Sequence, residues 1–119
     1  KNPVFYVQYA YARICSLLKK AGDHPAEPIH LTSQAEEDLA KQLFQLPDIV
    51  VEVAKEYTTN KLPQYVLELA RNFHKFYTVG RVIESDGSVN VSRYQLVQAT
   101  QIVLRNTLQL MGISAPEHM

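Results

Sequence analysis

Apolar residues recur along this chain at helical spacing, in five stretches separated by breaker residues. Val4, Val7, Tyr11, Ile14 and Leu18 follow an i, i+3, i+7, i+10, i+14 rhythm, which places them on one helix face. Asn2 suits an N-cap and Pro3 a first helical turn, where its missing N–H costs nothing. The spacing predicts a first helix from about Pro3 to Ala21, stopped by Gly22-Asp23. Pro25 and Pro28 mark residues 23–30 as a loop. A second helix begins at Thr32 or Ser33. Ser33 followed by Glu36 matches a capping box, and Glu36, Glu37 and Asp38 put negative charge at the positive end of the helix dipole. On this reading the acid pair Glu36-Glu37 consists of cap and surface groups. Leu39, Leu43, Phe44 and Leu46 form the apolar side.

Pro47 ends that helix and opens a third, roughly Pro47 to Thr58, with Ile49, Val50, Val53, Ala54 and Tyr57 at helical spacing. The β-branched run Ile49-Val50-Val51 is compatible with a strand, but the pattern continues past it without alternation, which favours helix. The fourth helix, about Lys61 to Val79, has the clearest stripe: Leu62, Tyr65, Val66, Leu69, Ala70, Phe73, Phe76 and Tyr77. Gly80 stops it. Residues 82–90, around Ser85-Asp86-Gly87-Ser88, are predicted as a turn and not a hairpin, for want of flanking apolar residues. The last helix runs from Asn90 or Val91 to Met111. It buries Leu96, Val97, Thr100, Val103, Leu104, Leu108 and Met111, and leaves Ile102 on the polar side with Gln98, Arg105 and Gln109. Gly112 ends it, and residues 113–119 form a short tail. Five helices with short connections predict an all-α fold, a single five-helix bundle.

Composition narrows the function. A chain of 119 residues that is 46% hydrophobic can bury one core, and this composition argues against a disordered tail. Twelve basic and twelve acidic side chains cancel, which argues against gripping nucleic acid by bulk charge but leaves room for a local basic patch. The lone cysteine, Cys15, lies in the first helical pattern. It is predicted to be a buried thiol and fits a reducing compartment, the cytoplasm. No apolar run approaches the ~18 residues of a membrane span. The start lacks both a signal-peptide layout and a methionine, so the chain reads as a domain excised from a longer protein at a linker.

Enzyme signatures are absent. His24, His30, His74 and His118 never pair at i, i+4, and no cysteine stands near them at ligand spacing, which speaks against a metal. The glycines form no phosphate-cradling loop, and no serine sits in a nucleophile elbow. What remains is polar and aromatic. Tyr6, Tyr9, Arg13 and Lys20 share the face beside the first core stripe. Phenol rings stack on unpaired bases, and a guanidinium adds charge and a planar donor fork. The plainer reading, which spacing alone favours, has these tyrosines covering the edge of a helical core. Arg71, Lys75 and Arg81 gather near the end of the fourth helix. There they either complement the dipole or contact phosphates beside Tyr77.

Three segments carry a resemblance. Asn2-Pro3-Val4-Phe5-Tyr6-Val7-Gln8-Tyr9-Ala10-Tyr11-Ala12-Arg13-Ile14 resembles the helix that enters the C-terminal domain of arginyl-tRNA synthetases. Glu68-Leu69-Ala70, Phe73-His74-Lys75-Phe76-Tyr77 and Arg81-Val82 resemble that domain's second signature, and Leu110-Met111-Gly112-Ile113-Ser114-Ala115-Pro116-Glu117-His118-Met119 resembles its C-terminus. Together, in this order, they span essentially the whole chain.

The resemblance implies the all-helical anticodon-binding (DALR) domain of class I synthetases over residues 1–119. It implies an upstream catalytic domain that joins arginine to its tRNA with ATP and magnesium. The HIGH- and KMSKS-type motifs of that domain do not occur here, so the fragment itself is expected to hold no cofactor and make no adenylate. Carried over by motif, Tyr6, Tyr9 and Arg13 would face the anticodon loop, joined by Tyr77. The terminal Met119, through its side chain and free carboxylate, would help build the pocket for the middle anticodon base, usually cytosine in arginine tRNAs. The implied partners are the arginine tRNA anticodon loop and the enzyme's own catalytic domain, with no membrane and no DNA.

There are departures. Tyr11 stands where many members have His, and is expected to pack in the core. Gly80 stands where Cys is frequent, with little effect expected. His118 replaces a common Arg or Lys, so the charge there depends on pH. The competing reading is a helical protein-interaction or domain-docking module without direct RNA contact.

Overall fold

The computed structural model describes residues 3–56 and 61–119. Helix α1 (Pro3–Ala21) has the predicted bounds, and Gly22, at φ +76°, ends it by donating to the Leu18 carbonyl at 3.1 Å. Only a residue without Cβ takes that left-handed conformation cheaply. Val7, Ala10, Tyr11 and Ile14 are buried, so Tyr11 is the core residue its spacing predicted. Burial, reinforced by a Cys15 hydrogen bond, raises its phenol pKa against the opposing pull of Arg105. Cys15 itself is only half-buried, and its Sγ accepts from Gln101 Nε2 at 3.3 Å.

Helix α2 (Gln34–Phe44) is capped by Ser33, whose side chain accepts from the Glu36 N–H. Helix α3 (Leu46–Glu56) follows after one residue. The break falls at Gln45, two residues before the predicted position, because the Pro47 ring excludes the Leu43 carbonyl that a continuous helix would place there. Phe44 is 82% exposed, contrary to its predicted place in the apolar stripe. It ends α2, whose last core-packed residue is Leu43, and Leu46 at the start of α3 rejoins the core as its spacing predicted. In α3, Ile49 packs against the core while Val50 and Ala54 are exposed. The predicted Asn2 cap and the predicted extension of the third helix to Tyr57 and Thr58 lie outside the described residues.

Helix α4 (Lys61–Val79) contacts all the other helices. Tyr65, Val66, Leu69, Ala70, Phe73 and Phe76 are buried, and the Tyr65 hydroxyl donates to the Gln42 carbonyl at 2.6 Å, tying α4 to α2. Burial pushes that phenol up to about 12. Truncating a ring such as Phe73 or Phe76 in a core of this kind costs about 3–5 kcal/mol. The segment after α4 does form a minimal hairpin, through one antiparallel bridge, Ile83 with Val89. Buried Val82 and half-buried Ile83 and Val89 supply the flanking apolar residues that a sequence window undercounts.

Helix α5 (Val91–Leu110) is capped by Asn90, which accepts from the Arg93 N–H at 3.1 Å. Tyr94 and Thr107 join its predicted buried face. The Thr100 and Thr107 hydroxyls donate to the Leu96 and Val103 carbonyls, both at 2.7 Å, which satisfies them inside the core. At its end Ile113 N–H donates to Leu108 O and Gly112 N–H to Gln109 O, a Schellman pair that turns the tail back toward α1.

Glu36 is not the surface group that its place in a first helical turn suggests. It is 1% exposed and receives Arg93 Nε at 3.0 Å, together with the Thr32 N–H at 2.9 Å. Burial raises its pKa, but the hydrogen bonds from Thr32 and Arg93 together outweigh burial and leave the carboxyl below its ordinary value.

Candidate nucleic-acid interface

Because α1 and α4 pack side by side, residues at i, i+3 and i+7 on one meet residues at i, i+1 and i+4 on the other. The result is a strip of rings. The Tyr6 ring lies 5.2 Å from the His74 ring, and His74 lies 5.8 Å from Phe73. Phe73 and Tyr77 stack at 5.9 Å with 30° between their planes. Phe73 is fully buried, so it anchors the strip, while Tyr77 (37% exposed) and Tyr9 (47%) face solvent.

Arg13 joins the two helices. Its guanidinium carbon sits 4.8 Å from the centre of the Tyr77 ring and 5.9 Å from that of Tyr9. Each such contact at an exposed site is worth about 0.5–1 kcal/mol. Burial first, and the Arg13 charge second, hold the His74 imidazole below its ordinary pKa. His74 is therefore neutral at pH 7, and Arg13 supplies the strip's positive charge. The site residues named from the sequence omitted His74, although it lies three residues from Tyr77 on the same helix.

The remaining predicted residues separate by environment. Arg71 is paired with Glu68 at 2.7 Å, and both side chains are half exposed. Lys75 is exposed on α4. Arg81 is exposed just past α4, and with Tyr77 and Lys20 it lines an open groove of about 470 Å³. The backbone there is fixed: Arg93 Nη1 donates to the Arg81 carbonyl at 3.0 Å while its Nε holds Glu36. A Cβ on Gly80 would stand 3.2 Å from Arg93 Nε and 3.3 Å from Cζ, so a side chain at this position presses on the pinned guanidinium.

The tail returns to α1 through Gln8, whose Nε2 donates to the Ser114 carbonyl at 3.0 Å and approaches its hydroxyl at 3.3 Å. Met119 lies five residues beyond Ser114 and is 54% exposed. Among the described residues no hydrogen bond, ion pair or ring contact joins it to Arg13 or Tyr77. A second groove, about 450 Å³ and mainly apolar, lies at the other end of α1 between Val4, Val53, Leu62 and Leu110. Among the described residues no group of three or more His, Cys, Asp or Glu side chains is placed to hold a metal.

Comparison with known proteins gives a consistent picture. The DALR anticodon binding domain family matches residues 7–119. The arginine–tRNA ligase of Moorella thermoacetica is 44% identical over 126 residues, with 99% of this chain aligned to 22% of that protein. The arginine–tRNA ligase of Bacillus subtilis is 39% identical over 126 residues, covering 100% of this chain and 23% of its own length. Among solved structures, the arginyl-tRNA synthetase of Thermus thermophilus superposes with a TM-score of 0.83 at 36% identity, over 96% of this chain and 21% of that one. The arginyl-tRNA synthetase of Plasmodium falciparum superposes at 0.80 with 26% identity, over 97% and 21% respectively. The chain thus spans less than a quarter of the length of these relatives.

Proposed function

The chain belongs to the family of DALR anticodon binding domains, and from that premise we propose that it reads the anticodon loop of arginine tRNAs as part of an arginine–tRNA ligase. In this reading residues 1–119 are the recognition domain. ATP, magnesium and the chemistry of aminoacylation belong to a catalytic domain upstream, and the protein works in the cytoplasm. Its partners are the anticodon loop and its own catalytic domain, and neither a membrane nor DNA is among them. No described helix is long and apolar enough to cross a membrane.

The observation that carries the reading is the Arg13 guanidinium held against the Tyr77 ring. Phe73 and Arg13 both lie against Tyr77, so the ring's orientation is set before RNA arrives, which lowers the entropic cost of binding. An unstacked base lodges against Tyr77, and Arg13 offers it a planar cation and a donor fork. Tyr9 and Tyr6 continue the stacking surface along α1. Met119 completes the pocket: its terminal carboxylate accepts from the exocyclic amino group that distinguishes cytosine from uracil. The tether at Gln8 supports this role, since five extended residues reach up to about 17 Å.

A second reading, docking of another protein segment, is favoured by the apolar groove at the start of α1 and by Leu110, an exposed residue of its lining. Footprinting of the anticodon loop on the intact protein separates the two. Protection that disappears with Tyr77→Ala and Arg13→Ala supports base recognition. A loop that stays equally reactive with and without protein supports docking.

A further inference from the structure

The groove between the end of α1 and the α4–α5 connection has chemistry that base stacking at Tyr77 does not use. We infer that it is a second nucleotide subsite, in which Lys20 and Arg81 hold the phosphodiester next to the base read at Tyr77; this rests on the anticodon reading above. Tyr77 lines both the ring strip and the groove, so a strand leaving the strip on that side enters the groove directly. The volume, about 470 Å³, falls within the range of about 300–1,000 Å³ typical of ligand sites.

The charge is available. Among the described residues neither Lys20 nor Arg81 forms an ion pair, although Asp23 and Glu84 are each three residues away in sequence. Arg71, on the same helix as Tyr77, already holds Glu68. Leu17 and Ile83 add apolar wall, suited to the face of a ribose or a base. The floor is also preset. Arg93, gripped by buried Glu36, holds the Arg81 carbonyl, and the Ile83–Val89 bridge closes the connection behind it. A buried ion pair is a costly way to secure a surface loop. Here it fixes the backbone that carries one of the two cations.

The competing explanation for Lys20 is that it only complements the C-terminal dipole of α1. Salt dependence of binding distinguishes them, measured on the intact protein with an RNA hairpin bearing an arginine-tRNA anticodon loop. Each single-strand phosphate contact contributes about 0.7 to the slope of log affinity against log salt. Lys20→Gln with Arg81→Gln should lower the slope by about 0.7, the share of the single phosphate they hold, and either change alone by no more than that, whereas Tyr77→Ala should lower affinity and leave the slope unchanged. Replacing the one contacted phosphate by a methylphosphonate should make the double variant and the wild type alike. Both positions are exposed, and circular dichroism checks that the fold survives. A double variant with wild-type slope and affinity, while Tyr77→Ala still weakens binding, overturns the subsite alone. A wild-type protein that fails to bind the hairpin overturns the anticodon reading and the subsite with it.

Discussion

Arg13 on α1 and Tyr77 on α4 stand 64 positions apart in sequence, yet the guanidinium carbon lies 4.8 Å from the centre of the phenol ring. Neither helix presents this pair alone. It exists because the buried faces of α1 and α4 set their register, and it lies where both helices leave aromatic surface in water.

Removing the Tyr77 ring should cost binding more than stability. Tyr77→Ala is expected to weaken anticodon-hairpin binding by about 1–3 kcal/mol, the range for one stacked base, with urea denaturation showing a much smaller loss than a core truncation would. Arg13→Lys should behave nearly as badly as Arg13→Ala, because an ammonium lacks the planar fork. Full rescue by lysine would show that Arg13 acts only as a point charge.

Glu36 and Arg93 should be coupled in stability. Arg93→Ala leaves a buried carboxylate without its cation and should cost roughly 3 kcal/mol, the low end for breaking a buried pair because Arg93 keeps some solvent contact. The folded-state pKa of Glu36 lies below its ordinary value. Its contribution is therefore complete above the unfolded value of about 4.3 and is lost as pH falls through the folded one. Urea titrations of wild type and Arg93→Ala should converge below pH 4. A constant difference down to pH 2 contradicts the assignment.

His74 should destabilise the fold in acid. Its folded pKa is depressed, so the unfolded state binds a proton first as pH drops below about 6.5, and stability falls from there down through the folded value. The groups facing it from α1 are Tyr6 and the cation of Arg13, and Phe73 flanks it on α4. His74→Gln should flatten the difference in thermal midpoint between pH 7.5 and pH 5. An unchanged pH dependence in the variant would place the sensitivity elsewhere.

Gly80 tests how rigidly Arg93 is held. In the wild type, Gly80→Ala should destabilise by about 1 kcal/mol, since the added Cβ crowds a guanidinium pinned at two points. In an Arg93→Ala background the same change should turn neutral or stabilising, because only the loss of unfolded-state freedom remains. Thermal melts of the four proteins decide it, and equal effects in both backgrounds would mean that Arg93 simply moves aside.

Local signals made the helices legible. Pro3, Gly22, Gly112 and the stripes of α1 and α4 each act within a few residues, so sequence spacing located those elements. The placement of Tyr9 and Arg13 on one face followed from the same periodicity. Non-local partners stayed hidden. Glu36 already had a sufficient local role at a helix N-terminus, and its real partner is 57 residues away. The hairpin bridge depended on Val82 and Ile83 finding a core supplied by other helices. Pro47 signalled a break, but the clash it causes acts four residues upstream, so the helix parted at Gln45. His74 was visible within a motif, yet only its contact with Tyr6 shows that it belongs to the ring strip.

The most direct measurement compares the intact protein's affinity for two anticodon hairpins that differ only in the middle base, cytosine or uracil. The expected result is a preference for cytosine of about 5- to 150-fold, from roughly 1–3 kcal/mol per correctly paired base edge, with the preference lost on deleting Met119 and both affinities lowered by Tyr77→Ala. Equal affinity for the two hairpins, or wild-type binding by Tyr77→Ala, would contradict it.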